Sequence, residues 1–387
     1  MGGRTKRPGP GDCGPVTDFV VIGGGIAGVS AAAHLAPHGR VSLLEQEPTL
    51  SYHTTGRSAA LFIVNYGGQG SRPLARASSY FFDNPPEYAT DAALLSDRGA
   101  MWVARPDQLA DLDRVAEEGR QSGAGSETLS PADVTKLVPV MRPELVGGGL
   151  YEPSARDIDV AGLHQAFVRI LRKHDGEIDT GTQVVGLQAT RSGWRVTTTN
   201  GAFECDAVIN AAGAWGDRVA VLAGVEPVGL TPMRRTAFMV PGSSDYEALP
   251  MVVGVGHDYY FRPDGIQLLC SLSEEEPAEP GDPRPRMEDI ALAIDRINEA
   301  TVLEIRSVSS QWTGLRTFSP DRDLVIGEDP IAPGFFWLVG QGGTGIMTAP
   351  AYGELVASQV LGKALPPTLA AAGVHPAVTS PARFRIS

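Results

Sequence analysis

The stretch "DFVVIGGGIAGVSAAAHLAPHGRVSLLEQE", residues 18–47, decides the fold. Its first apolar run is short and β-branched, which suits a buried strand. The Ala-rich segment after it suits a helix, Gly39 can end that helix, and "VSLLE" opens a second buried strand. Gly23, Gly25 and Gly28 fall between the first strand and the helix in a G-x-G-x-x-G pattern. One glycine permits the tight turn, one lets a pyrophosphate approach the backbone, and one lets the helix pack on the strand. The helix start then offers unpaired N–H groups and the positive end of its dipole to phosphate. Glu45 ends the second strand 22 residues after Gly23, where a carboxylate can accept hydrogen bonds from a ribose diol. Strand, glycines, helix, strand and acid together predict a dinucleotide-binding βαβ unit; a glycine turn without a ligand is the competing reading.

A second strand, glycine loop and helix occur at the other end of the chain, in "GFFWLVGQGGTGIMTAPAYGELVASQVLG", residues 334–362, with Gly340, Gly342, Gly343 and Gly345 in the loop. A cofactor touched from both ends of the sequence favours FAD over NAD. A helix starting between Thr344 and Thr348 would turn its positive end toward the flavin N1 and C2 carbonyl region, where negative charge develops on reduction. A loop that merely packs is again the alternative.

Residues 76–150 change character: "RASSYFFDNPPEY", a predicted strand "GAMWVAR", and charged helical stretches at 107–121 and 131–138. A helix is predicted over 161–176, followed by alternating strands as far as "NAAG". From Thr231 to Phe318 the pattern is strand-like, with one helix at 287–300 and an acidic, Pro-rich run "SEEEPAEPGDPRPR" that reads as an exposed loop. The expected fold is therefore α/β with two domains. A Rossmann-like nucleotide-binding domain takes 16–75, 151–228 and 320–365. A discontinuous substrate domain on a mostly antiparallel sheet takes 76–150 and 229–319. Residues 1–15 form a flexible extension and 366–387 a C-terminal tail.

The formal net charge of -13 argues against nucleic acid as a partner, but not against a small anion bound locally. The 3 cysteines, Cys13, Cys205 and Cys270, are odd in number and lack C-x-x-C spacing, so neither a disulfide framework nor a metal site is expected. No apolar run is long enough to span a bilayer, and the start has no apolar core of a secretion signal, so the expected location is the cytoplasm.

"VVIGGGIAGVSAAAHLAPHGRVSLLE", "NAAGAW" and "FFWLVGQGGTGIMTAP" resemble the FAD-dependent D-amino acid oxidase family. "YHTTGRSAALFIVNYG", "FFDNPP", "DIDVAGLHQ", "MRRTAF" and "GLRTF" are similar, in the same order, to segments of its bacterial D-arginine dehydrogenase branch, so the resemblance covers about residues 18–387. It implies FAD contacts at Gly23, Gly25, Ile26, Ala27, Gly28, Glu45, Gln46, Arg57, Ser58, Ala59, Val185, Ala212, Gly213, Trp215, Gly342, Gly343, Thr344, Gly345, Ile346 and Thr348. The carboxy-terminal flavin segment holds no cysteine, so noncovalent FAD is expected.

The arginine of "GLRTFSPD", residues 314–321, stands in a stretch that reads as buried, and a buried guanidinium needs an anion. The resemblance puts Arg235 and Arg316 on the substrate carboxylate, which a planar guanidinium can hold bidentately, and puts Tyr66 and Tyr260 along the pocket. A structural pair of Arg316 with Asp321 or Asp323, and an ordinary strand role for Tyr260, are the competing readings. Ala100 and Leu61 stand where the D-arginine dehydrogenases carry a glutamate and a histidine. Both changes remove polarity, which implies a neutral or apolar amino acid as substrate. The implied reaction is oxidation of the Cα–N bond by hydride transfer to flavin N5, followed by hydrolysis of the imino acid to a 2-oxo acid and ammonia. No protein base is required, so His53 and His257 receive no role; the electron acceptor stays open. Oxidation of a 2-hydroxy acid or a sarcosine-like secondary amine, and a non-catalytic dinucleotide-binding protein, are the alternatives.

Overall fold

The computed structural model describes residues 17–122 and 125–385; the extension expected over 1–15 lies outside them. Its first sheet has six strands in the order Val325–Glu328, Phe335–Val339, Ala207–Asn210, Phe19–Ile22, Val41–Leu44 and Glu177–Asp179. All pair in parallel except Val325–Glu328, which is antiparallel to its neighbour. Strands Phe19–Ile22 and Val41–Leu44 are buried at every position, as a parallel sheet covered on both faces requires. Helices Ile26–Leu35, Val160–Lys173 and Ala349–Val360 share one core on one face. Small residues let them close up: a Cβ on Gly353 would lie 2.0 Å from Ser30 Oγ, whose hydroxyl donates to the Ala349 carbonyl at 2.6 Å. The other face is covered by the antiparallel strands Val184–Ala189, Trp194–Thr198 and Gly201–Cys205.

The second sheet is mostly antiparallel. Strands Glu276–Pro277, Thr231–Pro241, Gln267–Ser271, Tyr260–Asp264, Met251–Gly254, Ala100–Ala104, Gly148–Glu152 and Glu127–Leu129 follow one another, and Ser310–Phe318 pairs with Thr231–Pro241. Side chains alternate along a strand, so each strand serves two layers. Phe238 and Val240 join the helix Met287–Ala300 in one core, while Ala237 and Met239 turn to the opposite face with Tyr260, Trp102 and Ala100. That second face looks toward the nucleotide-binding sheet.

Two segments differ from expectation. In the acidic run read as an exposed loop, Glu276–Pro277 pairs with Met233 and Arg234, the Glu274 carboxylate accepts from Thr236 N, and the carboxylate of exposed Glu275 accepts from Arg235. The segment read as a tail folds into the short helices Pro367–Ala371 and Pro376–Thr379 and returns to the first sheet. There Arg385 pairs with Asp329 at 2.9 Å, with side chains only 7% and 0% exposed, and Trp337 Nε1 donates to the same carboxylate at 3.0 Å. Buried acid and terminal arginine need one another, and neither signal is periodic. Among the described residues no helix is long and apolar enough to cross a membrane. Removing the cation in Arg385→Ala strands the Asp329 charge, and urea unfolding is expected to show a loss of about 3 kcal/mol. A loss below about 0.5 kcal/mol, the range of ordinary surface substitutions, would show that the tail does not anchor the sheet.

Candidate active site

A cavity of about 340 Å³ runs from the carboxyl ends of three neighbouring parallel strands to the inward face of the second sheet. Ile22 and Gly23, Leu44 and Glu45, and Ala211 and Ala212 line its first end, the crevice where open parallel sheets bind ligands. The glycine turn there admits no other residue. Gly23 has φ +112°, a Cβ on it would lie 2.5 Å from Ala211 O, and a Cβ on Gly28 would lie 1.8 Å from Gly23 O. Gly28 therefore packs the helix onto the turn, while Gly25, Ile26 and Ala27 face the cavity. Glu45 accepts hydrogen bonds from Gly24 N at 2.6 Å and Glu47 N at 2.9 Å, which fix its carboxylate on the wall with Gln46 beside it. Helix Ile26–Leu35 has no cap of its own; Ile26 N donates instead to Thr55 Oγ1, 2.9 Å away in a loop the sequence offered no reason to select. A dinucleotide fits this wall: the turn would take the pyrophosphate and Glu45 the ribose.

Arg57, Ser58, Ala59, Gly213 and Trp215 continue the lining. Arg57 is also tied down, to Thr313 O at 2.8 Å and Asp282 at 2.6 Å. Val184, not Val185, faces the cavity; Val185 is 47% exposed, as strand alternation puts neighbours on opposite sides. The second glycine loop lines the far end through Gln341, Gly342, Gly343, Gly345 and Ile346. Gly342 has φ +51°, and a Cβ there would lie 2.3 Å from the Phe318 ring. The helix starts at Ala349, later than expected, because 342–348 coils as turns. Thr344 and Thr348 lie outside the lining and spend their hydroxyls on Gln341 O and Thr344 O, each at 2.9 Å. His53, also on the lining, sits between Glu47 at 2.9 Å and the Trp215 ring at 4.6 Å. Neither Cys205 nor Cys270 lines the cavity; both are buried, and burial pushes the Cys205 thiol up to about 12.

Arg235 and Arg316 meet at the far end. The register sets Arg235 opposite Gly314 and Met233 opposite Arg316, so both arginines stand on one face of adjacent strands, with no side chain at Gly314 to separate them. A Cβ on Gly343 would lie 2.9 Å from Tyr66 Oη and 3.2 Å from Arg316 Nη1, so phenol, guanidinium and the second glycine loop converge. Tyr260, 4% exposed, lines the same end. Arg235 donates from Nε to Glu274 O at 2.9 Å and from Nη2 to Glu275 at 3.2 Å. Burial, and then the neighbouring charge of Arg316, lower its pKa. For Arg316 burial acts in the same direction, but Tyr66, Tyr260 and the two glutamates outweigh it and the pKa is raised. Both stay charged at physiological pH. Asp321 pairs with Arg383 at 2.6 Å and Asp323 accepts from Gly70 N at 3.0 Å, so neither holds Arg316. Ala100 and Leu61 do not reach the cavity; they form its backing with Ala237, Trp102 and Tyr260, and Tyr66 packs against them.

Residues 18–359 match the family model of the FAD-dependent oxidoreductases called DAO. The chain is 25% identical over 363 residues to the mitochondrial sarcosine dehydrogenase of Mus musculus, covering 89% of this chain but only 39% of that protein. It is 28% identical over 223 residues to the L-2-hydroxyglutarate dehydrogenase of Escherichia coli K12, covering 54% of this chain and 50% of that one. The crystal structure of glycine oxidase from Geobacillus kaustophilus superposes with a TM-score of 0.81 at 22% identity, covering 90% of this chain and 95% of that one. With the two glycine turns and the cleft between them, the match establishes that the chain belongs to the DAO family of FAD-dependent oxidoreductases, with FAD as its cofactor.

Proposed function

We propose that the protein oxidises the Cα–N bond of a D-amino acid with a neutral, apolar side chain, giving an imino acid that hydrolyses to a 2-oxo acid and ammonia. The observation that carries this reading is the pair of adjacent guanidiniums, Arg235 and Arg316, at the end of the cleft where the second glycine loop lies. Two fixed cations facing one space match a substrate carboxylate, and holding it bidentately sets the orientation of Cα as well as its position. Tyr260 on the lining, and Tyr66 behind it with its hydroxyl beside Gly343, stand next to that carboxylate. Ala100 and Leu61 stand in the apolar layer behind them, and neither offers a partner to a guanidinium or ammonium on the substrate side chain. Bound FAD would supply the hydride acceptor at N5, and neither Cys205 nor Cys270, both buried away from the cavity, is placed to bind it covalently. No protein base is assigned. His257 lies close enough to feel the Arg235 charge, and burial together with that charge keeps its pKa low.

A second reading, oxidation of a secondary amine or a 2-hydroxy acid, draws support from the likeness to sarcosine and L-2-hydroxyglutarate dehydrogenases, because the same arginines would serve those carboxylates. Anaerobic mixing of the holoenzyme with D-amino, L-amino, N-methyl and 2-hydroxy acids separates the two. Bleaching of the flavin by D-amino acids is expected, and bleaching only by the other classes would overturn the first reading. D-Leucine or D-methionine is expected to reduce the flavin faster than D-arginine; the reverse order would refute the apolar wall. Arg316→Met is expected to raise KM about 100-fold with FAD content intact, the scale of losing one partner of a buried charge pair. Loss of FAD or of folding would mark Arg316 as structural.

A further inference from the structure

We infer that Glu275 is a specificity-determining residue that restricts this site to substrates with a single carboxylate. This rests on the assignment of Arg235 and Arg316 to the substrate carboxylate and goes beyond it by defining what else the substrate may carry. The starting point is how the cations near the cleft are committed. Arg235 gives its Nε and Nη2 edge to Glu274 O and the Glu275 carboxylate. The second Glu275 oxygen takes Arg322 Nη2 at 2.8 Å, so one carboxylate bridges two guanidiniums. Arg57, further along the lining, is matched by Asp282. Among the described residues the Arg316 side chain makes no hydrogen bond or ion pair, although both glutamates act on its charge. One open guanidinium and the remaining edge of Arg235 make a seat for one carboxylate.

A second carboxylate on the same molecule has no matching seat. On one side, behind the lining and beside Arg235, stand Glu275 and the carboxyl of Glu274, whose Oε1 accepts from Thr236 N while Oε2 is buried without a partner. On the other it meets the apolar backing of Ala100, Leu61 and Ala237. Directly across the strand from Ala100 stands yet another acid, Glu152, fully buried and holding Asn65 Nδ2 at 3.0 Å. Strand partners share a sheet face, so Glu152 belongs to that same backing. The two arginines attract one carboxylate, and the acids behind the seat repel a second, a repulsive element of the kind that sets specificity.

The test titrates the holoenzyme with propionate and with succinate, two non-oxidisable ligands, and reads each Kd from the perturbed visible spectrum of the flavin. The unmodified protein is expected to bind propionate at least about tenfold more tightly than succinate, the scale of one like-charge approach. Glu275→Gln keeps a hydrogen-bond acceptor for Arg235 but removes the charge, and is expected to bring the two within about threefold. Arg322→Gln, at a half-exposed position, removes the outer cation that offsets Glu275 and is expected to widen the gap. Equal binding of the two ligands by the unmodified protein, or an unchanged ratio in either variant, would overturn the inference; should Glu275→Gln lose FAD, the other two measurements decide alone. If propionate affinity survives Arg316→Met, the carboxylate clamp itself fails, and the inference falls with it for a distinguishable reason.

Discussion

Everything in this molecule depends on how closely one helix sits on one strand. Gly28 lies so near Gly23 O that not even a methyl group fits between them, and Gly23 adopts a backbone conformation that side chains disfavour. This contact aims the amino end of helix Ile26–Leu35 at the crevice, and it allows Ala211 to cross the turn at close range. It also fixes the plane of the parallel sheet against which helices Val160–Lys173 and Ala349–Val360 pack. A dinucleotide wall, a helix layer and the position of the second glycine loop follow from the absence of one carbon atom.

The other end of the cleft is governed by strand register. Arg235 and Arg316 are far apart in sequence and belong to different strands, yet a nine-position antiparallel pairing brings them onto one face. Slipping that register by one residue would send one arginine into the core that Phe238 shares with helix Met287–Ala300. The apolar packing on one side of the sheet therefore maintains the charged geometry on the other. Cofactor wall and carboxylate seat are built by different physics, steric closeness in one and pairing register in the other, and the loops around Tyr66 and Gly343 join them.

The parts of the fold that were legible in the sequence were those with a local signal. The βαβ start, the second strand–loop–helix and the helix Met287–Ala300 all follow from periodicity and glycine spacing. Which residues face the cavity was less legible, because that depends on alternation within a strand: the sequence cannot distinguish Val184 from Val185 without knowing which side is covered. Ala100 and Leu61 entered through a resemblance and stand one layer behind the surface it implied. Glu274, Glu275 and the terminal Arg385 were hidden for a different reason. Acidic, Pro-rich and terminal stretches read as solvated, and only a partner brought from elsewhere in the chain holds them: Thr236 N for Glu274, Arg235 for Glu275 and Asp329 for Arg385.

The strand order has a consequence for how the protein comes to hold its cofactor. The strands Phe19–Ile22 and Val41–Leu44 of the nucleotide-binding sheet are synthesised well before the strand Phe335–Val339, which pairs with Ala207–Asn210. The glycine loop that closes the flavin end follows it. A nascent chain thus carries a phosphate-binding turn long before it has a place for the isoalloxazine ring. FAD can be held at both of its ends only after the second glycine loop has been made, and until then the sheet's long-range parallel pairings stay open.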